Sequence, residues 1–203
     1  MGVFDPSQDI DPARRGFFIR QQVACMQAAV SALELARVPV VAAVHGACIG
    51  AGVDLITACD IRICSEDALF SIREVRIGLA ADLGTLQRLP RAGGNESLVR
   101  ELALTGDDFD STTAHSFGLV SRVVAGGSTE VRTAAMGIAR RIARQSPVAV
   151  AGTKANLIYS RDHSVQDGLD HVATWNASGL QTEDTQTAAV ARVNKELPAF
   201  SKL

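Results

Sequence analysis

Over residues 17–37 the apolar side chains Ile19, Val23, Met26, Val30 and Leu33 recur at alternating steps of four and three. That spacing stacks them on one face of a helix, and Pro39 stops it. Residues 40–44 are a short valine-rich run closed by Gly46, the pattern of a buried strand. A helix is expected from near Gly50 to about Ala58. Residues 61–64 and 69–72 read as strands separated by the turn Ser65-Glu66-Asp67. Helical spacing returns over 84–88, 96–105 and 112–117, and 119–124 reads as a last strand. From there the chain is mostly helix. Val131, Ala135, Ile138 and Ile142 mark one, 148–159 follows Pro147 as another, and 165–180 and 187–197 give two more.

Strands alternating with helices, then helices alone, predict an α/β core with a helical C-terminal extension. The boundary falls between 1–127 and 128–203, where Ala125-Gly126-Gly127-Ser128 joins a strand to a helix. With 203 residues and 47% hydrophobic content the chain can bury one sizeable core. Twenty basic residues against 22 acidic ones give neither a nucleic-acid footprint nor a basic membrane surface, so a small neutral or acidic ligand fits better.

Cys25, Cys48, Cys59 and Cys64 form no CxxC pair and have no histidine at metal spacing, so they read as buried reduced thiols and no metal site is expected. Met1 to Arg15 is a polar lead-in without a secretory pattern, and no apolar run approaches the roughly 18 residues of a membrane-spanning helix. His45 is expected to pack at a strand end. His115, His163 and His171 form no cluster, and Arg132, Arg140, Arg141 and Arg144 read as a solvated helix face. The last three residues, Ser201, Lys202 and Leu203, spell the peroxisomal import tripeptide, an address read by a receptor.

The candidate chemistry lies between Pro39 and Pro90, where Asp54, Glu74 and Asp82 sit among apolar residues. An apolar pocket raises a carboxyl pKa, and acids that share a pocket push their values apart, so one site can hold a proton donor and a proton acceptor near neutral pH. Just before Asp54, the stretch from Val44 to Asp54 passes from strand to helix through Gly46, Gly50, Ala51 and Gly52. Small residues let a ligand approach the backbone, and the unpaired N–H groups of a first helical turn suit a developing oxyanion. A dinucleotide fingerprint is a poor match, because the glycine spacing is wrong and a carboxylate follows at once. Taken singly, Asp54 reads as a residue complementing its own helix dipole and Asp82 as a turn or cap residue.

The segment Val44-His45-Gly46-Ala47-Cys48-Ile49-Gly50-Ala51-Gly52-Val53-Asp54, with Leu55-Ile56-Thr57-Ala58-Cys59-Asp60 after it, resembles the signature of the crotonase (enoyl-CoA hydratase/isomerase) superfamily. The stretch from Glu74 to Pro90, together with Gly118-Leu119-Val120-Ser121-Arg122-Val123, Ser146-Pro147-Val148-Ala149-Val150 and residues 159–165, resembles its Δ3,5-Δ2,4-dienoyl-CoA isomerase branch. The resemblance implies a crotonase-like (ClpP/crotonase) ββα spiral core and places Asp54 and Glu74 at the acid positions that hydratases fill with glutamate. It places Asp82 at an additional acid of the isomerase branch, and Ala51, between Gly50 and Gly52, at a usual glycine whose N–H is one of two oxyanion donors. Alanine keeps that N–H.

The resemblance further implies an isomerase of 3,5-dienoyl-CoA thioesters in unsaturated fatty acid β-oxidation, with the acyl-CoA as substrate and no metal or redox cofactor. Glu74 and Asp82 would shuttle protons and Asp54 would tune them. A homotrimer or hexamer is expected through the C-terminal helices, near 165–180. Import into peroxisomes, or a related glycosome-type organelle, would run through the Ser-Lys-Leu end. Nothing before Pro39 matches the family's Ala-Gly-hydrophobic-Asp loop, so a family member lacking its N-terminal portion is expected, with an unpaired sheet edge. Hydration of 2-enoyl-CoA and a non-catalytic scaffold role are the alternatives.

Overall fold

The computed structural model describes residues 11–203. The polar lead-in therefore lies outside the described residues up to residue 10, and the first helix, α1 (Pro12–Leu35), begins earlier than its apolar spacing suggests. Its cap explains the early start: the Asp11 carboxylate accepts from the N–H groups of Ala13 and Arg14, and Pro12 occupies the first helical position.

The chain then makes two turns of a strand, strand, helix pattern. In the first, β1 (Val41–Val44) leads through a corner at Gly46 to β2 (Ala47–Ile49) and α2 (Ala51–Thr57). In the second, β3 (Ile61–Ser65) leads to β4 (Leu69–Ser71), a 3-10 turn (Glu74–Ile77) and α3 (Thr85–Ala92). β1 and β3 pair in parallel, from Val41 opposite Ile61 to Val44 opposite Cys64, and β2 and β4 pair in parallel in a second sheet. The two runs expected as strands on either side of Ser65-Glu66-Asp67 thus enter different sheets. A bond from Leu69 N to Gly46 O, 2.8 Å, joins the two corners.

α4 (Glu96–Thr105), β5 (Asp108–Asp110) and α5 (Ser111–Ser116) follow, and β5 closes the second sheet antiparallel to β4. β6 (Val123–Val124) completes the first sheet beside β3. It is shorter than the expected 119–124, because the N–H groups of Leu119 and Val120 turn back to the Ala114 carbonyl at the end of α5. Among the described residues β1 and β2 are edge strands of their sheets.

The larger core fills the space between the sheets and the helices, with Val53, Phe70, Leu89, Phe109, Phe117 and Leu119 at its centre. Phe70 stacks on Phe109 with centroids 5.5 Å apart. Successive strand residues face opposite ways, so Cys64 enters this core while Ile63 enters another on the far side of the sheet. There it meets Val131, Ala135 and Ile138 of α6 (Ser128–Ala143), three of the four residues that marked that helix in the sequence; the fourth, Ile142, packs against their edge. α7 (Pro147–Ser160), α8 (Val165–Gly179) and α9 (Glu183–Asn194) complete the chain.

α1 departs from its expected role. None of its residues is buried, and Ile19 and Met26 are about half exposed. The helix is held by polar ties. Lys154 Nζ, on α7, donates to the carbonyls of Leu33 (3.1 Å) and Val38 (3.0 Å) and to Asp60 Oδ2 (2.8 Å). Glu34 is paired with Arg88 of α3 and with Arg161. Cys25, also on α1, is exposed, which corrects the expectation of four buried thiols; Cys48, Cys59 and Cys64 are buried.

His45 is likewise exposed rather than packed. His163 and His171 each stack on the Tyr159 ring, at centroid distances of 3.7 and 3.9 Å, which a step of four residues at the α7 end and a neighbouring helix make possible. The arginines of α6 and Arg144 after it are exposed, as their charge pattern predicts.

Candidate active site

Gly50 caps α2 with φ at 54°, a conformation that glycine adopts without the Cβ strain of other residues. Its N–H donates to Ser71 O (2.9 Å), and its carbonyl takes the N–H groups of Val53 (2.7 Å) and Asp54 (3.3 Å). The N–H groups of Ala51 and Gly52 have no acceptor among the described residues. Ala51 is exposed, so its methyl group sits outside the packed interior. A side chain on Gly50 would press on the site, because its Cβ would stand 3.3 Å from Glu74 Oε1.

Glu74 opens the 3-10 turn and is buried, and its Oε2 has no hydrogen-bond partner. Burial pushes its carboxyl up, its own backbone N–H opposes this, and the charges of Asp54 and Asp82 push it further up. Glu74 thus feels two other carboxylates, although the three acids lie up to 28 residues apart in the chain.

Asp54 is buried at 1% exposure and is committed to a bond: its Oδ1 accepts from Thr85 N at 2.6 Å. It therefore sits at the start of α3, where Gly84 offers no side-chain cap, as well as in the first turn of α2. The Thr85 hydroxyl beside it is buried without a partner.

Asp82 corrects the expectation of three acids in apolar surroundings, since it is exposed. The reason is local. The end of the 3-10 turn and the irregular stretch after it run along the surface, with Ile77 75% and Leu79 44% exposed, while Ala81 turns inward. Asp82 is anchored through its backbone, whose carbonyl accepts from Gln27 Nε2 of α1 at 2.6 Å.

Gln27, Thr85 and Arg88 were missed by the sequence reading. Gln27 lies 55 residues from its partner and follows no motif, and a threonine at the start of a helix gives no hint of a carboxylate arriving from another helix. Among the described residues no cluster of His, Cys, Asp and Glu has the arrangement of a metal site. No helix among them is long and apolar enough to cross a membrane.

Two parallel ββα turns with acids gathered where the second strand layer meets α2 define the class of protein. The chain belongs to the enoyl-CoA hydratase/isomerase family, whose pattern it matches over residues 17–202. It is 51% identical over 193 residues to the peroxisomal Δ(3,5)-Δ(2,4)-dienoyl-CoA isomerase of Arabidopsis thaliana, covering 95% of this chain and 69% of that protein. It is 50% identical over 204 residues to the mitochondrial Δ(3,5)-Δ(2,4)-dienoyl-CoA isomerase of Homo sapiens, covering 99% of this chain and 62% of that one. Among solved structures, the enoyl-CoA hydratase of Bacillus anthracis superposes with a TM-score of 0.84 at 27% identity, over 95% of this chain and 72% of that one. The enoyl-CoA hydratase/isomerase of Cupriavidus metallidurans gives 0.82 at 32% identity, over 96% and 72%. The fold is the crotonase-like α/β fold.

Proposed function

We propose that the protein isomerises 3,5-dienoyl-CoA to 2,4-dienoyl-CoA in unsaturated fatty acid β-oxidation. The observation that carries this is the buried Glu74 carboxyl, with one oxygen unpartnered and its pKa raised, standing against the Gly50 turn with Asp54 and Asp82 acting on it. Two relatives that are 51% and 50% identical to this chain over the 193 and 204 residues aligned bear the name of that activity.

The reaction removes a proton from the carbon next to the thioester carbonyl and returns one at the far end of the diene, so no net proton is gained or lost. Glu74, its carboxyl raised by burial, and Asp82, at the surface, are the two acid/base groups. The N–H of Ala51 donates to the thioester oxygen while the dienolate carries negative charge. Asp54, held by Thr85, tunes the acids, its charge adding to the rise that burial imposes on the Glu74 pKa. This chemistry invokes no metal and no redox cofactor.

Purified protein supplied with a 3,5-dienoyl-CoA should generate the ultraviolet absorbance of the 2,4-dienoyl product, and should do so faster than it hydrates a 2-enoyl-CoA. Full rate in Glu74→Gln or Asp82→Asn would refute the proton-shuttling roles of those two acids. A preparation that binds the thioester without turning it over would favour the scaffold alternative.

The same reading includes assembly and location. α7, α8 and the start of α9 enclose an open cavity of about 740 Å³ lined by Val148, Leu157, Leu169, Trp175 and Leu180. Leu157 and Leu180 are about 70% exposed in the single chain. We assign this surface to a homo-oligomer of threefold symmetry, a trimer or hexamer, which light scattering would detect as a multiple of three chains. Ser201, Lys202 and Leu203 are exposed and lie across the α6–α7 junction beside Arg37 and Val38. Recognition of that tripeptide by an import receptor would place the protein in peroxisomes, and removing Leu203 should then leave it outside the organelle.

A further inference from the structure

The stretch that carries Asp82 has little structure of its own. It starts at Gly78 and ends at Gly84, both at positive φ, and between them the N–H groups of residues 80–83 make no backbone hydrogen bond among the described residues. A loop built this way has many accessible conformations, so the position of the Asp82 carboxylate is set by whatever grips the loop from outside.

Besides the buried methyl group of Ala81, two carbonyl contacts do this. Gln27 Nε2 of α1 donates to Asp82 O at 2.6 Å. Arg88 Nη1 donates to Leu83 O at 3.3 Å, while its Nη2 reaches Ser31 Oγ (2.8 Å) and Glu34 Oε2 (3.1 Å), again on α1. The Arg88 guanidinium also lies so close over Gly84 that a Cβ there would run into it. Consecutive carbonyls of the Asp82 loop are thus tied to one face of α1, directly at residue 82 and through Arg88 at residue 83.

We infer that Gln27 is a positioning residue for Asp82: by holding the Asp82 carbonyl against α1, its amide fixes how near the Asp82 carboxylate stands to Glu74. Gln27 does not touch the reacting atoms and acts through the loop. The inference rests on the proposed isomerase reading for its catalytic consequence, but its geometric content is independent of that reading. Burial raises the Glu74 pKa first, and the charges that add to it are Asp54 from α2 and Asp82 from the loop, so letting the loop swing away removes one of those two charges and moves the Glu74 pKa down.

The test uses Gln27→Met in the full chain, which keeps a helix-forming side chain of similar length and removes the donor. Gln27 is exposed and no residue of its helix is fully buried, so the variant should fold with an unchanged melting temperature. Gln21→Met, at another exposed position of α1, is the control and should behave as wild type. In Gln27→Met, kcat for a 3,5-dienoyl-CoA should fall about ten- to a hundredfold with KM little changed, as expected for misplacement of a reacting group. The acid limb of the pH profile should move to lower pH.

The second readout needs no substrate: carboxyl-carbon NMR of Glu74, assigned with Glu74→Gln, should show its titration moving to lower pH in Gln27→Met. An unmoved Glu74 titration, or a kcat loss matched by a fall in melting temperature, would overturn the inference. A wild-type protein without isomerase turnover whose Glu74 titration still moves in Gln27→Met would sink the isomerase reading and leave the positioning role standing.

Discussion

The backbone N–H of Thr85 donates a 2.6 Å hydrogen bond to Oδ1 of Asp54, so the carboxylate of one helix caps the start of another. Asp54 is 1% exposed and Gly84, the residue that would otherwise cap α3, has no side chain to do so. Removing the carboxylate leaves a buried donor unsatisfied, which costs about 1–3 kcal/mol. Asp54→Ala should therefore lower the stability measured by urea unfolding by that amount, and Asp54→Asn, which keeps an oxygen acceptor, should lose less than half as much. Equal losses in the two variants would show that the bond is not what makes Asp54 matter.

Glu74 predicts an opposition between stability and activity. Its folded pKa is raised above the ordinary value of 4.5, chiefly by burial. A raised group contributes stability that is fully present below the ordinary value and is lost as pH rises through the folded one. Glu74→Gln removes that loss. Its melting temperature should match wild type near pH 4 and exceed it at pH 7 to 8. Its isomerase rate should fall by about 10²–10⁴. Calorimetry across pH checks the first half, since a wild type that gains on the variant as pH rises would contradict the sign.

Lys154 ties α7 to the α1 exit and to Asp60, just before β3. Its side chain is 5% exposed and that of its partner Asp60 is 23% exposed, and Asp60 also accepts from Val40 N. Lys154→Met should cost about 3–5 kcal/mol, because it strands the Asp60 charge and two carbonyls. Adding Asp60→Asn should recover part of the loss. A double-mutant cycle in urea measures this, and strict additivity of the two changes would exclude the coupling.

The cysteines should separate sharply in reactivity. Burial pushes the Cys48 thiol up to about 12 and the Cys64 thiol to about 11, and it also raises Cys59, whereas Cys25 lies exposed on α1. Reaction with a thiol reagent at pH 8 should show one fast thiol and three that react only on unfolding, since both access and thiolate fraction limit the rate. Cys25→Ser should abolish the fast phase. Its persistence would mean that one of the interior strands or α2 opens readily.

Much of this protein was determined locally and is legible as such. α4 occupies the residues its periodicity marks, and α6 buries Val131, Ala135 and Ile138 on the face their spacing defines. β1, β3 and β4 fall where short apolar runs end in turn residues, and α2 starts where the glycines allow a strand to become a helix. The carboxylates at 54, 74 and 82 stand out because acids are costly among apolar neighbours, and the motif around them points to the family to which the chain belongs.

Tertiary structure decided the rest. It sent β3 and β4 to different sheets, left α1 without a buried face, put Asp82 in solvent while burying Asp54, and brought His163 and His171 to Tyr159. It also chose the partners at the site, Thr85 for Asp54 across 31 residues and Gln27 for the Asp82 carbonyl across 55, and in the scaffold Lys154 for Leu33 across 121. Periodicity reports which face of an element is apolar because that follows from 3.6 or 2 residues per turn. Which hydrogen-bonding group meets which depends on how separate elements pack, and that distance in space has no counterpart in local spacing along the chain.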